Sequence, residues 1–439
     1  MKIHILGISG TFMSGIAILA KQLGHQVTGS DLECYEPMKS VLSDSEITVI
    51  KGYKINQIKN KDLIIIGNVM SRGNPVIEYI LTNKLNYTSG PQWLYENILK
   101  NKKVIAVSGT HGKTTTTSMI VHILKKNSLN VSYLIGGNPN GLKRPANLTR
   151  SKYFVIEADE YDTAFFDKQS KFIHYKPDLL LINNIEFDHA DIFNDLDNIL
   201  KSFHHLIRCI PSSGKIIINY NDKNIRKLLS MGYWSKVIEV DKRKSSMYNL
   251  DKKKDNYYFI KNSKSYLLPS NIMGEYNFMN ACMAITACNH LKIPITKQIK
   301  SLETYKGVKR RMESRGHADG IKIFDDFAHH PTAIQSAIRA IKEIDKRKKL
   351  LTICIPSSNS MLMGAHDNTL LPALKESDYV LLISKSKNIK NKFNKNTKIN
   401  VIETHKEISN YLPKMKTIET ILILSNKNTD EIIKSLKNE

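Results

Sequence analysis

A glycine, a lysine and a run of threonines lie together in the segment VSGTHGKTTTT (107–117). Gly112, Lys113 and Thr114 match the end of the phosphate-loop pattern G-x-x-x-x-G-K-[ST]. The first glycine of that pattern is missing, and Gly109 is the nearest substitute. Backbone N–H groups of such a turn bind phosphate oxygens, the lysine neutralises phosphate charge, and the hydroxyl reaches Mg²⁺. The segment therefore predicts an ATP site.

Acidic residues and histidines follow two other apolar segments. Glu157, Asp159 and Glu160 end one predicted strand, and His189 ends the next. In a phosphate-loop enzyme, carboxylates on neighbouring strands hold Mg²⁺ or its water, and a neutral imidazole can be a second ligand. Taken singly, each group could instead be a strand cap or a satisfied core histidine. Their recurrence within one predicted domain favours a metal–nucleotide site.

A second glycine-containing turn lies near the N-terminus, in HILGISGTFMSG (4–15). Gly7, Gly10 and Gly15 follow a short apolar strand and open a helix. Asp31 ends the next strand, where a ribose-binding acid stands in dinucleotide sites. The glycine spacing differs from G-x-G-x-x-G, which disfavours a dehydrogenase. We expect a phosphate-binding turn for another kind of nucleotide.

Two charged segments lie farther along the chain. RRMESRG (310–316) places Arg310 and Arg311 at a predicted domain junction, where a guanidinium could clamp phosphate oxygens or form a surface ion pair. DDFAHHP (325–331) crowds two acids and two histidines at the end of one strand. Adjacent histidines on a turn point apart, so ribose and base contacts are favoured there over a zinc site.

These segments need α/β units that bring strand ends to one edge of a sheet. The predicted strands are 3–8, 26–31, 47–50 and 62–68, then 104–107, 153–160, 178–189 and 214–219, and finally 322–334, 350–358, 378–384, 399–404 and 420–426. A helix is predicted over 10–24 and another from about 277 to 291. The lysine-rich stretch 241–264 is interpreted as a surface excursion.

The composition bounds the class of protein. A chain of 439 residues predicts about three domains, and a hydrophobic fraction of 41% suffices for their cores. The net charge of +24 comes from lysines spread through the whole chain, which favours solvated surfaces over a dedicated polyanion site. Five cysteines without C-x-x-C spacing suit a reducing compartment. We expect a cytoplasmic protein with no membrane and no nucleic-acid partner.

Six segments, taken in order, resemble the signature of the Mur ligases, the ATP-dependent amino-acid and peptide ligases of bacterial cell-wall synthesis. They are SGTHGKTTT (108–116), EADEYDTAFFD (157–167), NNIEFDHADIF (183–193), GEYNFMNACMA (274–284), RRMESRG (310–316) and DDFAHHPTA (325–333). The resemblance implies an α/β fold with the three-domain Mur ligase architecture. Its parts would be a Rossmann-like UDP-substrate domain (1–100), a central P-loop ATPase domain (101–308) and a Rossmann-like amine-substrate domain (309–439).

The resemblance also implies roles for individual residues, with ATP and Mg²⁺ as cofactors. Lys113, Glu157 and His189 would be catalytic, and Thr114, Glu157 and His189 would serve Mg²⁺. The implied ATP contacts are Gly109, Thr110, His111, Gly112, Lys113, Thr114, Thr115, Asn277, Arg311 and Asp326. The implied UDP-substrate contacts are Gly7, Gly10, Gly15, Asp31, Asp159 and Glu160. The base that takes the amine proton stays open between His189, Glu157 and a neighbouring acid.

Within the family, FFDKQSKFIHYKPD (165–178) and EFDHADIFNDL (186–196) resemble one branch in particular. That branch recycles the murein tripeptide L-Ala-γ-D-Glu-meso-diaminopimelate by joining it to UDP-N-acetylmuramate through an acyl phosphate. Three alternatives remain: a UDP-N-acetylmuramate–L-alanine ligase, a basic nucleic-acid-binding P-loop ATPase, and a decayed ligase that has lost its amine site.

Three departures from the family pattern leave the acceptor peptide open. Tyr276 stands where the family usually has His, and Ile355 and Ser357 stand where the branch tends to have Glu and Arg. The glycine-rich turn expected after Ser425 and Asn426 is missing. The sequence also leaves the oligomeric state open.

Overall fold

The computed structural model describes residues 1–243, 246–344, 347–393, 398–412 and 417–437. The chain divides into two compact units. Unit 1 comprises residues 1–187, 195–269 and 279–306. Unit 2 comprises residues 188–194, 270–278 and 307–439.

The N-terminal part of unit 1 is a parallel five-stranded sheet in the order β3-β2-β1-β4-β5. Its strands are β1 (Lys2–Leu6), β2 (Gln26–Asp31), β3 (Thr48–Lys51), β4 (Leu63–Ile66) and β5 (Tyr87–Ser89). Its helices are α1 (Thr11–Gln22), α2 (Met38–Ser43), α3 (Pro75–Thr82) and α4 (Gly90–Asn97), with 3-10 helices at Ile55–Gln57 and Leu99–Asn101. The strand order reverses beside β1, and ligands bind at such switch points in open α/β sheets.

The central part of unit 1 is a ten-stranded sheet in the order β17-β16-β15-β14-β13-β12-β6-β9-β7-β8. In chain order the strands, with the separate hairpin β10–β11, are β6 (Lys103–Ser108), β7 (Ser132–Leu134), β8 (Ala146–Asn147), β9 (Tyr153–Glu157), β10 (Asp162–Ala164), β11 (Asp167–Ser170), β12 (Leu179–Ile182), β13 (Lys215–Asn219), β14 (Lys236–Asp241), β15 (Tyr248–Lys253), β16 (Asn256–Lys261) and β17 (Lys264–Leu267). The middle strands β6, β9, β12 and β13 are parallel to their neighbours. They are almost wholly apolar because both faces are covered.

The helices of this region follow the same alternation with strands. They are α5 (Lys113–Lys126), α6 (Leu196–Arg208), α7 (Lys223–Ser230), α8 (Glu275–His290) and α9 (Ile295–Leu302), with a 3-10 helix at Lys171–Tyr175. Residues 275–278 of α8 belong to unit 2. Strands are confirmed within 104–107, 153–160, 178–189 and 214–219, but β9 ends at Glu157 and β12 at Ile182, so the second and third predictions extended three and seven residues too far.

The interpretation of 241–264 as a surface excursion was wrong. Apart from residues 244 and 245, which lie outside the described part, this stretch contributes antiparallel strands that extend the sheet. Tyr257 and Phe259 are buried, whereas Lys252 and Lys253 on the paired strand are exposed. Lysine and turn residues obscured the apolar residues that β15 and β16 bury.

Unit 2 is built on a six-stranded sheet in the order β18-β19-β23-β20-β21-β22. The strands are β18 (Glu313–Ala318), β19 (Ile321–Asp326), β20 (Lys349–Cys354), β21 (Tyr379–Ile383), β22 (Ile399–Ile402) and β23 (Ile418–Leu424). The helices are α10 (Pro331–Ile344), α11 (Asn359–Leu362), α12 (Asp367–Leu374), α13 (Lys387–Phe393), α14 (Ile408–Tyr411) and α15 (Asp430–Lys437), with a 3-10 helix at His405–Glu407. A strand is confirmed within each of the five predicted ranges, but the first ends at Asp326, and residues 331–334 of its predicted range begin α10. The sequence missed β18, an antiparallel edge strand too polar to show an apolar run.

Within the described ranges, no helix is both long enough and apolar enough to span a bilayer.

Candidate active site

The turn between β6 and α5 has a backbone that only glycine adopts readily. Gly109 and Gly112 have φ angles of +126° and +79°. A Cβ at Gly109 would lie 2.8 Å from the carbonyl oxygen of Asn184, so the main chain leaves no room for a side chain. Gly112 is the N-cap of α5. The first amides of a helix have no partner inside it, so this turn and the start of α5 form an anion site.

Residues after β12 hold the turn in place. The Thr110 N–H donates to the Asn184 backbone oxygen at 3.0 Å, and the His111 N–H donates to Asn184 Oδ1 at 2.7 Å. The Glu186 N–H donates to Thr110 Oγ1 at 2.8 Å, and the Glu186 carboxylate lies 3.5 Å from His111 Nε2. Thr115 is buried in the first turn of α5. The predicted ATP contacts of this loop thus belong to a preorganised segment.

Lys113 projects from the start of α5 toward two of the predicted acids. Its Nζ donates to Glu160 Oε2 at 2.7 Å and lies 3.6 Å from Asp159 Oδ1. Burial by itself would lower the pKa of the Lys113 ammonium, but the carboxylates of Glu160 and Asp159 outweigh burial and raise it. Lys113 is therefore a permanent cation, and its contact with phosphate stays a prediction.

Thr114 and Glu157 form the second contact between α5 and β9. Thr114 Oγ1 donates to Glu157 Oε1 at 3.0 Å, and the Gly136 N–H donates to Oε2 at 2.7 Å. A Cβ at Gly136 would lie 2.7 Å from the same carboxylate, so this glycine leaves space for it. A hydroxyl and a carboxylate side by side are hard oxygen donors, which Mg²⁺ prefers. Thr114 and Glu157 therefore fit a magnesium ion.

The N-terminal turn has the same strand–turn–helix form but no cation. Gly7 has φ +77°, and a Cβ there would lie 2.6 Å from Val69 Cγ1. The Asp31 carboxylate accepts from the Ser9 N–H at 2.9 Å and from the Tyr53 hydroxyl at 3.0 Å. These bonds fasten the turn to the end of β2.

One cavity of about 420 Å³ in unit 1 is lined by the N-terminal turn and by residues of the central region. The first turn contributes Gly7, Gly10 and Asp31, and the central region contributes Glu157 and Asp159. A cavity of this size can hold much of a nucleotide-sized ligand. Four residues predicted for the UDP substrate, Gly7, Gly10, Asp31 and Asp159, therefore share one space with Glu157, which is predicted for Mg²⁺.

Two predicted UDP contacts lie away from the lining of this cavity. Gly15 lies within α1, where a Cβ would stand 3.1 Å from Leu134 Cγ, so its small size serves helix packing. Glu160 is 2% exposed and is engaged by Lys113. Their direct contact with the UDP substrate stays a prediction.

The other predicted nucleotide residues lie together in unit 2. The buried Asp326 carboxylate accepts from the Met312 and Ala328 N–H groups, both at 2.7 Å. Burial raises the pKa of Asp326, and the Arg311 guanidinium opposes that rise. Asn277 Nδ2 donates to the Met273 carbonyl at 2.9 Å, at the end of a segment that packs on the unit 2 core.

Tyr276, which stands in place of the family's usual His, lies within this group of residues. Its side chain packs against the unit 2 core beside Ala340. Burial raises the pKa of the Tyr276 hydroxyl, and the nearby Asp326 raises it further. The tyrosine therefore enters the group as a neutral, largely apolar ring.

His189 also belongs to unit 2 and has a left-handed backbone at φ +56°. Its N–H donates to Asp188 Oδ1 at 2.8 Å, and the Ser360 hydroxyl donates to the same oxygen at 2.8 Å. Burial alone would raise the pKa of Asp188, but His189 and His329 outweigh burial and lower it well below its usual range. The role of His189 toward Mg²⁺ stays a prediction.

Sequence reasoning missed one cation at the cavity. Lys171 lines it, with a side chain only 11% exposed, and its Nζ lies 3.1 Å from Asp159 Oδ2. The chain contains 65 Lys and Arg residues, so no local signal distinguished this lysine from the others.

Comparisons with known proteins cover almost the whole chain. Three family models match in order: "Mur ligase family, catalytic domain" over residues 2–102, "Mur ligase middle domain" over 107–288, and "Mur ligase, glutamate ligase domain" over 310–426. A relative in Haemophilus influenzae, named UDP-N-acetylmuramate–L-alanyl-gamma-D-glutamyl-meso-2,6-diaminoheptandioate ligase, is 44% identical over 397 residues, covering 87% of this chain and 85% of the relative. A UDP-N-acetylmuramate–L-alanine ligase of Clostridium acetobutylicum is 30% identical, covering 84% and 79%.

A solved structure is similar over the full length. The murein peptide ligase of Psychrobacter arcticus is 36% identical, with a TM-score of 0.78, covering 100% of this chain and 99% of the other. The expected fold class, with a phosphate loop in the central region and α/β sheets on either side in sequence, is thereby confirmed. This chain belongs to the Mur ligase family, whose members are ATP-dependent ligases that form amide bonds.

Proposed function

We propose that this protein joins the murein tripeptide L-Ala-γ-D-Glu-meso-diaminopimelate to UDP-N-acetylmuramate in peptidoglycan recycling, with ATP and Mg²⁺. The carboxylate of UDP-N-acetylmuramate attacks the γ-phosphorus of ATP and forms an acyl phosphate with release of ADP. The peptide amine then attacks the acyl carbon, and phosphate leaves as the amide forms.

The cavity of unit 1 carries this proposal. It is lined both by the N-terminal turn, at Gly7 and Asp31, and by Glu157 and Asp159 next to the phosphate loop. An enzyme that activates a carboxylate with ATP must hold the acid substrate and the transferred phosphate side by side, because effective positioning supplies much of the rate. A cavity lined by the N-terminal turn and by carboxylates that contact Lys113 and Thr114 meets that requirement.

The residues around the phosphate loop account for the first step. Lys113 neutralises the β- and γ-phosphates, and the turn amides between Gly109 and Gly112 hold phosphate oxygens. Thr114 and Glu157 would hold Mg²⁺, which would further neutralise the phosphate charge. Asp159 and Glu160 release Lys113 as the phosphate arrives.

Residues of unit 2 complete the nucleotide contacts in this proposal. Asn277 contacts the adenine, Arg311 the phosphates and Asp326 the ribose. His189 would serve a second Mg²⁺, and His189, Glu157 or a neighbouring acid takes the proton of the amine. The proposed domain limits are 1–100, 101–308 and 309–439, and the proposed location is the cytoplasm.

The choice of peptide rests on the 44% identity with the Haemophilus influenzae relative. The departures in unit 2 bear on that choice. Ser357 Oγ donates to Asn426 Oδ1 at 2.5 Å, so the residue in place of the branch's Arg contacts the pair that lacks the glycine-rich turn. These two departures form one contact, which is where a changed acceptor preference would arise.

The test is phosphate release by the purified protein with ATP, Mg²⁺ and UDP-N-acetylmuramate, comparing the tripeptide with L-alanine. We expect turnover with the tripeptide and little with L-alanine. Turnover with L-alanine alone would make the protein a UDP-N-acetylmuramate–L-alanine ligase. If neither acceptor supports turnover but binding of UDP-N-acetylmuramate persists, the amine site has been lost. A salt titration of RNA binding tests the nucleic-acid alternative, which requires a steep dependence on salt.

A further inference from the structure

Lys171 is a largely buried cation that the proposed chemistry leaves without a task. It begins the 3-10 helix Lys171–Tyr175, directly after the hairpin β10–β11, and its side chain is 11% exposed. Its backbone N–H donates to the Tyr161 carbonyl at 2.9 Å, which fixes the start of the helix to the segment after β9. The side chain lines the 420 Å³ cavity together with Gly10 and Phe12 of the N-terminal turn.

The contacts of Lys171 place one carboxylate between two cations. Asp159 lies between them, with Oδ2 at 3.1 Å from Lys171 Nζ and Oδ1 at 3.6 Å from Lys113 Nζ. Lys113 belongs to the phosphate loop, so a phosphate is its expected partner. Lys171 stands on the other side of the same carboxylate.

Aromatic rings hold the Lys171 ammonium toward the N-terminal turn. Its Nζ lies 5.6 Å from the centre of the Phe12 ring and 5.5 Å from that of Tyr161. Phe12 follows Gly10 and Thr11 at the start of α1, and its ring stacks on the buried Tyr175. Ring faces attract a cation and restrict its movement without neutralising its charge. Lys171 therefore offers a positioned charge next to the turn proposed for the UDP substrate.

A cation that is nearly excluded from water needs an anion. Asp159 supplies one, but its side chain is 33% exposed, so it can turn away toward solvent when another anion enters. The UDP substrate of the proposed function carries a free carboxylate that must reach the γ-phosphate held at Lys113. A carboxylate on Lys171 would lie across Asp159 from that phosphate.

We propose that Lys171 binds the free carboxylate of UDP-N-acetylmuramate and thereby selects this acid over UDP-sugars that lack a carboxylate. The inference rests on the proposed function, because it assigns one residue to the acid substrate of that reaction. Lys171 is then a specificity-determining residue, and Asp159 holds its ammonium in place until the substrate arrives.

Calorimetric binding without ATP separates substrate selection from catalysis. The probes are UDP-N-acetylmuramate and UDP-N-acetylglucosamine, which differ by the lactyl ether that carries the carboxylate. For Lys171→Met we expect the affinity for UDP-N-acetylmuramate to fall by about 10- to 100-fold, as for a lost charge-assisted hydrogen bond. The affinity for UDP-N-acetylglucosamine should change by less than about threefold. Lys171→Arg should restore much of the preference because it keeps the charge.

Lys168, on the hairpin that precedes Lys171, offers a matched control. Its side chain is 70% exposed and pairs with Asp162, outside the lining of the cavity. Lys168→Met removes the same charge from the protein and should leave both affinities unchanged. If Lys171→Met does not fold, as judged by thermal unfolding, Lys171→Gln carries the same comparison.

The outcomes separate this inference from the proposed function. A preference for UDP-N-acetylmuramate that survives in the Lys171 variants, or that is absent from the wild type although both compounds bind, would overturn the inference and leave the proposed function standing. Failure of the wild type to bind either compound would overturn both.

Discussion

The two glycine turns of unit 1 share one architecture and differ in charge. Each follows a parallel strand, β1 or β6, and opens a helix, α1 or α5. The turn at 109–112 is followed by Lys113 and Thr114, which contact three carboxylates. The turn at 7–10 is followed by Thr11 and Phe12, neither of which carries a charge.

This difference separates binding from phosphoryl transfer. Backbone amides alone can hold a phosphate group, as both turns can. Transfer of a phosphoryl group also needs cations that stabilise the transition-state charge, and of the two turns the one at 109–112 carries them. We therefore expect phosphoryl transfer at the turn at 109–112 and substrate recognition at the turn at 7–10.

Replacement of Lys113 should have the largest effect on activity. Lys113→Met takes away the cation of the second turn, and we expect kcat to fall by at least about 10²- to 10³-fold, as when one transition-state contact is lost. The measurement is ATP-dependent phosphate release at saturating substrates. Lys126→Met, at the exposed last turn of the same helix, should retain wild-type activity. Substantial turnover in Lys113→Met would show that α5 does not carry the transfer.

Substituting one glycine in each turn should separate the two ligands. Gly7→Ala and Gly112→Ala force a side chain into φ angles of +77° and +79°, with Cβ atoms 2.6 Å from Val69 and 2.5 Å from Asn280. We expect Gly7→Ala to raise KM for UDP-N-acetylmuramate and Gly112→Ala to raise KM for ATP, each by about 10- to 100-fold, since the left-handed backbone alone costs about 1–2 kcal/mol.

Gly24→Ala is the control for strain without a ligand. Gly24 has φ +87° after the end of α1, and nothing lies within 4 Å of its Cβ position. It should lower thermal stability while leaving both KM values unchanged. The assignment of one ligand to each turn fails if Gly7→Ala and Gly112→Ala raise the same KM.

The strand beneath the first turn adds a pH dependence that the second lacks. His4 of β1 is fully buried, and burial together with the charge of Lys61 lowers its pKa to about 4. Its ring nitrogens lie 2.9 Å from Thr28 Oγ1 and 3.0 Å from Ser30 Oγ. In the unfolded chain the histidine takes up a proton near pH 6.5, so its contribution to stability is complete above that pH and is lost as the pH falls toward 4.

The size of this loss follows from the two pKa values. Between pH 7 and pH 5 it is about 2 kcal/mol of the free energy of unfolding. Urea denaturation at a series of pH values should show this extra loss in the wild type relative to His4→Gln. The exposed His205 provides the reference, since His205→Gln should follow the wild type. Parallel curves for wild type and His4→Gln would contradict a buried neutral His4.

The smallest expected effect is that of Tyr53→Phe, which tests whether the first turn binds UDP-N-acetylmuramate. Tyr53→Phe removes the hydroxyl that donates to Asp31 Oδ1 at 3.0 Å, while the Ser9 N–H still donates to this carboxylate. We expect KM for UDP-N-acetylmuramate to rise by about two- to threefold, as for one neutral hydrogen bond worth about 0.5–1 kcal/mol. KM for ATP should stay constant. An equal rise in both constants would mean that Asp31 supports the whole unit rather than its turn.

The sequence was most informative where chemistry and local structure coincide. Gly112, Lys113 and Thr114 are neighbours in the chain, so their joint presence at a helix start could be predicted. Glu157 and Asp159 could be placed near them because adjacent parallel strands end at one edge. The stretch 241–264 was misread because lysine side chains extend from strands as readily as from loops.

Contacts between residues distant in the chain could not be predicted from local sequence patterns. Gly15 looked like a ligand contact, but its neighbour is Leu134 of the central sheet. Lys171 looked like one surface lysine among many, and only the fold sets it beside Phe12 and Asp159.

The sequence by itself determined the α/β class, the phosphate loop and the family, because these depend on periodicity and on ordered motifs of adjacent residues. The tertiary structure decided that the N-terminal turn and Glu157, the carboxylate that contacts Thr114, line one cavity, and that Asp159 lies between Lys113 and Lys171. Such pairings arise from sheet order and helix packing. They join residues tens of positions apart, whose partners depend on how the whole unit buries its apolar surface.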